Sequence, residues 1–272
     1  MAELFERTRG SLTFLSVHPV LDQMARDILN GLPDAACDGP PTTVYCGVHQ
    51  EFGDAWSRPG FRIAIQTEQL FEAGGAALWP SRKRSNLQRI LKAVRRSHRV
   101  LDLSAYNTAF YDAELGLPKN RRKLSFGPHI FPATPHPYTP PTRDEILFFG
   151  WTGGKRRKGV LQGIDRFKVA MVEDGTFFDE LDQMIRAHSA VLNIHFEDGI
   201  YTEAPRLLSA YVCGTPVVSE PLDPGFKAGL HYHLLGSDTP FDPQAVFDAF
   251  SALVTSRFSF AAYLDSLGDR ST

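Results

Sequence analysis

Short apolar runs without polar alternation recur along this chain, and a helical pattern follows nearly every one. "EILFFG", "AVLNIHF" and "TPVVSE" place apolar residues at consecutive positions, which suits strands covered on both faces. Such strands belong to largely parallel sheets with helices packed over them, so the chain is predicted to be an α/β protein. In the first half, strands are expected at Leu12–Val17, "TTVYCGV", "FRIAIQT" and "RVLDLS". Helices are expected over "VLDQMARDILNGL", "SNLQRILKAVRRSHRV" and "AYNTAFYDAELGL".

The alternation stops at "GPHIFPATPHPYTPPTRD", Gly127 to Asp144, where six prolines stand among eighteen residues. Proline removes a backbone donor and fixes φ, so this stretch reads as a semi-rigid extended linker. The alternation then restarts: strand "EILFFG", helix, strand "FKVAMVE", helix "FFDELDQMIRAHS", strand "AVLNIHF", helix "TEAPRLLSAYV" and strand "TPVVSE". The tail from Asp242 to Leu267 is helical in period. The predicted architecture is two Rossmann-like domains facing a cleft, with C-terminal helices. Residues 1–126 form the first domain, 127–143 the linker and 144–272 the second domain with the terminal helices.

Composition narrows the function classes. The 272 residues carry a formal net charge of −2, so nothing global points to nucleic acid or an anionic membrane. The cations are clumped, at Arg82–Arg84, Arg95–Arg96, Arg121–Lys123 and Lys155–Lys158, and local clumps can grip phosphate. Three cysteines, Cys37, Cys46 and Cys213, are too few for a disulfide framework and lack zinc-ligand spacing. The first ten residues, MAELFERTRG, lack the apolar core of a signal peptide, and no stretch nears 18 continuous apolar residues. The expected location is cytoplasmic, with any membrane contact peripheral.

Two stretches carry candidate chemistry. "GWTGGKRRKG", from Gly150, follows a predicted strand, and its glycines and four cations suit a diphosphate held by backbone amides and side chains. It is neither a P-loop nor the dinucleotide fingerprint. The second stretch runs from "LNIHF" through an acidic loop to a helix expected to start at Thr202 as N-cap, with Glu203 and Pro205 in its first turn. Glu203 and Arg206, three apart, share one helix face. The carboxylate could accept from ribose or sugar hydroxyls, or could simply complement the helix dipole. His195, at a strand end, could reach a phosphate or pack in the core. Ligands of open α/β sheets bind beyond the carboxyl ends of the strands, where both stretches lie.

"FFGWTGGKRRKG" and "ELDQMIRAHSAVLNIHFEDG…EAPRLLSAYVCGTPVVSE" resemble the nucleotide-sugar-binding half of GT-B glycosyltransferases of the GT4-like superfamily. The resemblance spans about Glu145 to Glu220, while the first half matches only in layout. The EX7E pattern of retaining members is absent, with Ser209 and Tyr201 at its positions. An E-x-x-R at Glu203 and Arg206 is closer to polysaccharide-biosynthesis relatives. The resemblance implies transfer of a sugar from a nucleotide diphosphate donor to a hydroxyl of a glycan or lipid-linked acceptor. It implies neither cofactor nor metal, the leaving diphosphate being stabilised by side chains and helix dipoles. The implied donor-binding set is Gly153, Gly154, Lys155, Arg157 and Lys158 from the glycine turn, with His195, Gly199, Tyr201, Thr202, Glu203 and Arg206. An inverting reaction needs a base, for which His18 and Glu68 stand after strands of the first domain, with His49 and Asp102 behind them. The alternatives are a nucleotide-sugar epimerase of the same fold, or a nucleic-acid-binding or DNA-glucosylating protein; the acidic balance argues against nucleic acid.

Overall fold

The computed structural model describes residues 3–78, 84–115, 121–268 and 270. Arg82 and Lys83 of the first basic clump lie outside the described residues. The chain divides into two compact units, Met1–Ala133 with Arg257–Thr272, and Thr134–Ser256.

The first unit is built on a six-stranded sheet: β1 (Phe5–Arg9), β2 (Leu12–Ser16), β3 (Thr42–Cys46), β4 (Phe61–Gln66), β5 (Arg99–Asp102) and β6 (Leu124–Phe126), in that spatial order. β2 to β6 are parallel, and β1 pairs antiparallel with β2. β1 reads FERTR, whose charged residues hide its strand character in the sequence. The helices are α1 (Pro19–Asn30), α2 (Asp34–Cys37), α3 (Arg84–Arg96) and α4 (Thr108–Leu115). Strand register lines up Leu15, Tyr45, Ala64 and Val100 on one face. They pack with Ile90 and Val94 of α3 and Tyr111 of α4, and Tyr45 stacks on Trp56 at 4.0 Å. This fully buried layer supplies the apolar driving force for the unit.

The second unit holds a five-stranded parallel sheet. Its strands are β7 (Arg143–Phe148), β8 (Val169–Met171), β9 (His188–Asn193), β10 (Val217–Ser219) and β11 (His233–Leu234). The spatial order is β11-β10-β9-β7-β8. The chain therefore moves one way from β7 to β8 and the other way from β9 onward. The order reverses between β7 and β9, and in open α/β sheets ligands bind beyond the strand ends at such a switch point. α5 (Lys155–Gln162), α6 (Phe178–Ala187), α7 (Ala204–Val212) and α8 (Pro243–Arg257) complete the unit.

The terminal helices do not both fall in the second unit, as the sequence reading has them. The helical tail breaks at Phe258–Ser259, where the Ser259 hydroxyl accepts from the Ala262 amide and starts α9 (Phe260–Ser266). α9 belongs to the first unit: Phe131 and the tail exchange backbone hydrogen bonds of 3.1 and 2.9 Å, and Phe260 packs on Phe14. The proline-rich stretch, expected as a semi-rigid extended linker, is tied down by hydrogen bonds. Beyond Phe131, the His136 amide donates to the Tyr211 hydroxyl at 3.0 Å, and the Thr139 amide to the Gly214 carbonyl at 2.8 Å. Prolines leave few amides to satisfy, and these are bound to the unit on their own side. Among the described residues no helix is long and apolar enough to cross a membrane.

Gly214 closes α7 at φ +73°, a conformation that disfavours side chains. A Cβ there would stand 2.5 Å from the Pro137 carbonyl oxygen and would also clash with the Thr139 hydroxyl. Gly214→Ala is expected to destabilise by about 2 kcal/mol or more, since backbone strain and a backbone clash add. The check is a lowered urea midpoint relative to an Ala substitution at exposed Gly159.

Candidate functional site

The loops after β7 and β9 meet at the switch point of the second sheet, and each delivers charge to it. After β7 the chain runs through Gly150 and Trp151 to Gly154, where α5 begins. No side chain caps α5, so its first amides are left to other partners. The run Lys155-Arg156-Arg157-Lys158 then splits by helical phase. Lys155 and Lys158, three apart, are exposed, whereas Arg157 is buried.

Arg157 donates to the carbonyls of Trp151 (3.0 Å) and Ile194 (3.1 Å) and to Glu203 Oε1 at 2.8 Å. Arg206, also buried, ion-pairs with the same carboxylate and donates to Asn193 Oδ1 at 2.6 Å. Its guanidinium lies over the rings of Phe148 and Phe149. Burial lowers the Arg206 pKa, and the Glu203 charge opposes that effect. Two guanidinium groups against one carboxylate leave net positive charge. Gly150, at φ +127°, makes the packing possible: a Cβ there would stand 2.8 Å from an Arg206 nitrogen.

A second ionic group sits beside the first. Arg156 donates to Asp198 Oδ1 at 2.5 Å, to Glu220 Oε1 at 2.5 Å and to the His195 carbonyl at 2.8 Å. Glu220 Oε2 accepts from the His195 amide at 2.8 Å. The His195 ring is buried, stacked on Tyr201, and its pKa is lowered chiefly by burial, with Glu203 and Glu220 opposing. Its Nδ1 lies 3.0 Å from the Gly199 carbonyl, so Nδ1 carries the proton. His195 Nε2 and Arg206 Nε are buried with no hydrogen-bond partner among the described residues. Unsatisfied buried polar atoms are uncommon in folded proteins and ask for an explanation.

The expected donor-binding residues thus fall at one sheet edge with different roles. Arg157, Glu203 and Arg206 form the buried cluster, and Gly153 and Gly154 form the turn into α5. Lys155 and Lys158 remain outside the cluster as exposed cations. Gly199 and Tyr201 support the His195 ring. Thr202 is not the N-cap of α7. The helix starts at Ala204 with Glu203 in the cap position, and Thr202 is buried, its hydroxyl accepting from the Asp223 amide at 3.2 Å. Burial pushes the Asp223 carboxyl up to about 6. Nor does Glu203 present a free carboxylate for hydroxyls, because both its oxygens meet guanidinium groups. Asn193 and Glu220, not singled out in the sequence, complete the network together with Arg156. Helical phase within the KRRK run is the signal that could have separated Arg156 and Arg157 from the lysines.

In the first unit, the two candidate bases stand beyond the carboxyl ends of β2 and β4. His18 is exposed and caps α1, its Nδ1 accepting from the Val20 amide at 3.3 Å. Glu68 is half-buried, with Oε1 3.4 Å from Nε2 of buried His49. Its carbonyl accepts from Asn107 Nδ2, which also donates to Asp102. Asp102 is fully buried and further accepts from the Tyr111 hydroxyl (2.7 Å) and the Ser104 amide (2.9 Å). Burial nevertheless pushes its carboxyl up to about 7. Among the described residues no group of three or more His, Cys, Asp or Glu side chains could hold a metal ion.

No protein-family model matches the chain, and no curated protein sequence matches it. Among solved structures it is similar to a GtfA/B complex, with a TM-score of 0.35 and 9% identity over 83% of this chain and 53% of that one. A GtfA/B complex bound to UDP and GlcNAc gives a TM-score of 0.31 and 11% identity over 83% of this chain and 56% of that one. The chain spans a little over half the length of those it matches. Similarity at this level decides nothing about chemistry, which rests on the site's own geometry.

Removing the shared carboxylate leaves two buried cations facing each other. Glu203→Gln is expected to destabilise by about 3–5 kcal/mol. Arg206→Met, which leaves Glu203 paired with Arg157, should cost less, and urea unfolding ranks the two. For Asp102, the folded state holds a proton that the unfolded chain gives up near pH 4. The stability it contributes is full below that pH and is lost as pH rises through about 7. The unfolding free energy of wild type minus that of Asp102→Asn is therefore expected to shrink between pH 4 and 8, as urea curves across that range would measure.

Proposed function

We propose that the protein is a glycosyltransferase whose second unit binds the diphosphate of a nucleotide sugar at the crevice between β7 and β9. The observation that carries this reading is the buried Arg157–Glu203–Arg206 cluster at a topological switch point, beside an uncapped helix start and two exposed lysines. Exposed lysines beside buried guanidinium groups, with backbone amides alongside, are an arrangement that suits phosphate groups. It also suits a leaving diphosphate, whose developing charge preorganised donors stabilise. The sequence resemblance over Glu145 to Glu220 points to the same ligand.

In this reading Lys155 and Lys158 meet the outer phosphate oxygens, and Arg206 and Arg157 set the field behind them. The acceptor is a hydroxyl of a glycan or lipid-linked sugar, and the reaction needs a base to take its proton. Of the two candidates we favour Glu68, because His49 and Asn107 hold its segment while His18 spends its Nδ1 on a helix cap.

The test is a thermal-shift panel of UDP, GDP, dTDP and CDP, with and without a chelator, followed by an assay for nucleoside diphosphate released from the matching sugar nucleotide. One diphosphate is expected to raise the melting temperature by mass action. Lys155→Ala combined with Lys158→Ala should weaken its binding about tenfold while leaving the unliganded melting temperature unchanged, since both side chains are exposed. The absence of any shift with all four diphosphates would overturn the reading.

A further inference from the structure

The two loops that bury guanidinium groups also expose aromatic rings. Trp151 is 58% exposed and Phe196 37% exposed, and their ring centroids lie 5.4 Å apart at an interplanar angle of 33°. The Trp151 carbonyl accepts from Arg157 at 3.0 Å, and the Phe196 amide donates to Glu203 at 3.2 Å. The ion cluster thus holds the backbone of each ring, and the Arg157 guanidinium lies 5.4 Å from the Phe196 centroid. The Trp151 indole folds back over Gly153, where a Cβ would meet it at clashing distance. This pair is held in place from beneath and open to solvent above.

Next to the rings stand carboxylates. Phe196 is followed by Glu197 and Asp198, both exposed. Asp198 is paired with Arg156, while the Glu197 side chain makes no hydrogen bond or ion pair among the described residues. Rings that bury about 150–250 Å² each offer far less than the roughly 800 Å² per partner of a stable protein interface. An anionic group would be repelled by Glu197. A flat ligand with one apolar face and a rim of hydroxyl donors satisfies both features, the C–H face on the rings and the hydroxyls on the carboxylates.

We infer that Trp151 and Phe196 form a platform for a pyranose ring, with Glu197 accepting from its hydroxyls. The inference rests on the proposed diphosphate site for the location of the ring. Two sources would present the same chemistry: the sugar of the nucleotide donor, or a sugar of the acceptor glycan. Trp151 and Glu197 are then specificity-determining residues, distinct from the cluster that holds the phosphates.

The experiment compares wild type, Trp151→Ala and Trp151→Phe in two calorimetric arms, with tryptophan emission followed in each. The donor arm titrates UDP against UDP-glucose and UDP-N-acetylglucosamine, and GDP against GDP-mannose. The acceptor arm screens a printed array of oligosaccharides. A donor-borne ring predicts that Trp151→Ala lowers affinity for a sugar nucleotide about 3- to 10-fold without changing that for its parent diphosphate, and that Trp151→Phe retains most of the affinity. An acceptor-borne ring predicts array binding that Trp151→Ala abolishes and Trp151→Phe keeps. Equal loss for UDP and UDP-sugars would overturn the inference in favour of a stacked base. No effect of Trp151→Ala in either arm would also overturn it, with the diphosphate site intact. Failure of wild type to bind any diphosphate, with array binding still dependent on Trp151, would overturn the diphosphate site and leave the pyranose platform standing.

Discussion

One carboxylate shared by two buried guanidinium groups governs the second unit. Taking three charges out of water costs several kcal/mol each, and the mutual attraction of Arg157, Glu203 and Arg206 recovers it only because further hydrogen bonds complete the set. Those bonds run to the Trp151 and Ile194 carbonyls and to the Asn193 side chain. Every one of these groups lies at or just beyond the end of β7 or β9. An apolar cluster of equal volume would stabilise the fold as well or better. What the ionic cluster adds is orientation: it fixes two loops to each other with directional bonds.

The strand orders place the switch point in one unit and not the other. In the first sheet the parallel strands follow one another in sequence order from β2 to β6, so successive loops lie side by side without a reversal. In the second, the order reverses between β7 and β9, and the cations arrive there through α5 and α7. The first unit instead gathers Glu68, His49, Asn107 and Asp102 beyond β3, β4 and β5. Asp102 works there through Asn107, which bonds the Glu68 carbonyl and the Leu70 amide and so shapes the segment that carries the candidate base.

Much of this was legible in the sequence, and the rest was hidden for identifiable reasons. Unbroken apolar runs marked β7, β9 and β10 because strands buried on both faces need no polar alternation. The glycine turn announced itself through Gly150 and Gly154. By contrast β1 is written in charged residues, since a half-exposed edge strand has only one face to bury, and β11 is two residues long. The tail showed a continuous helical period because Phe258 and Ser259 fit the pattern, yet Ser259 is a cap and α9 belongs to the other unit. At the site, residue types pointed correctly to charge but not to its partners. Thr202 looks like a helix cap until Asp223, twenty-one residues on, takes its hydroxyl. Glu203 looks free to bind a ligand until Arg157, forty-six residues earlier, reaches it. Spacing along the chain carries local geometry, whereas both of these bonds are tertiary.

The loops after β7 and β9 invert the usual partition of side chains. Folded chains keep charges wet and large rings dry, and a buried charge persists only when paired. Here Arg157 and Arg206 are buried while Trp151 and Phe196 face solvent a few residues away. The two departures are linked through single bonds, because Arg157 holds the Trp151 carbonyl and Glu203 holds the Phe196 amide. Neither departure lowers the free energy of the isolated fold relative to an ordinary arrangement with an apolar residue inside and a polar one outside. The proposed ligand site accounts for both departures in one stretch, at the switch point of the sheet order. The unpartnered nitrogens of His195 and Arg206 belong to the same stretch, and the same proposal accounts for them from the side of hydrogen bonding.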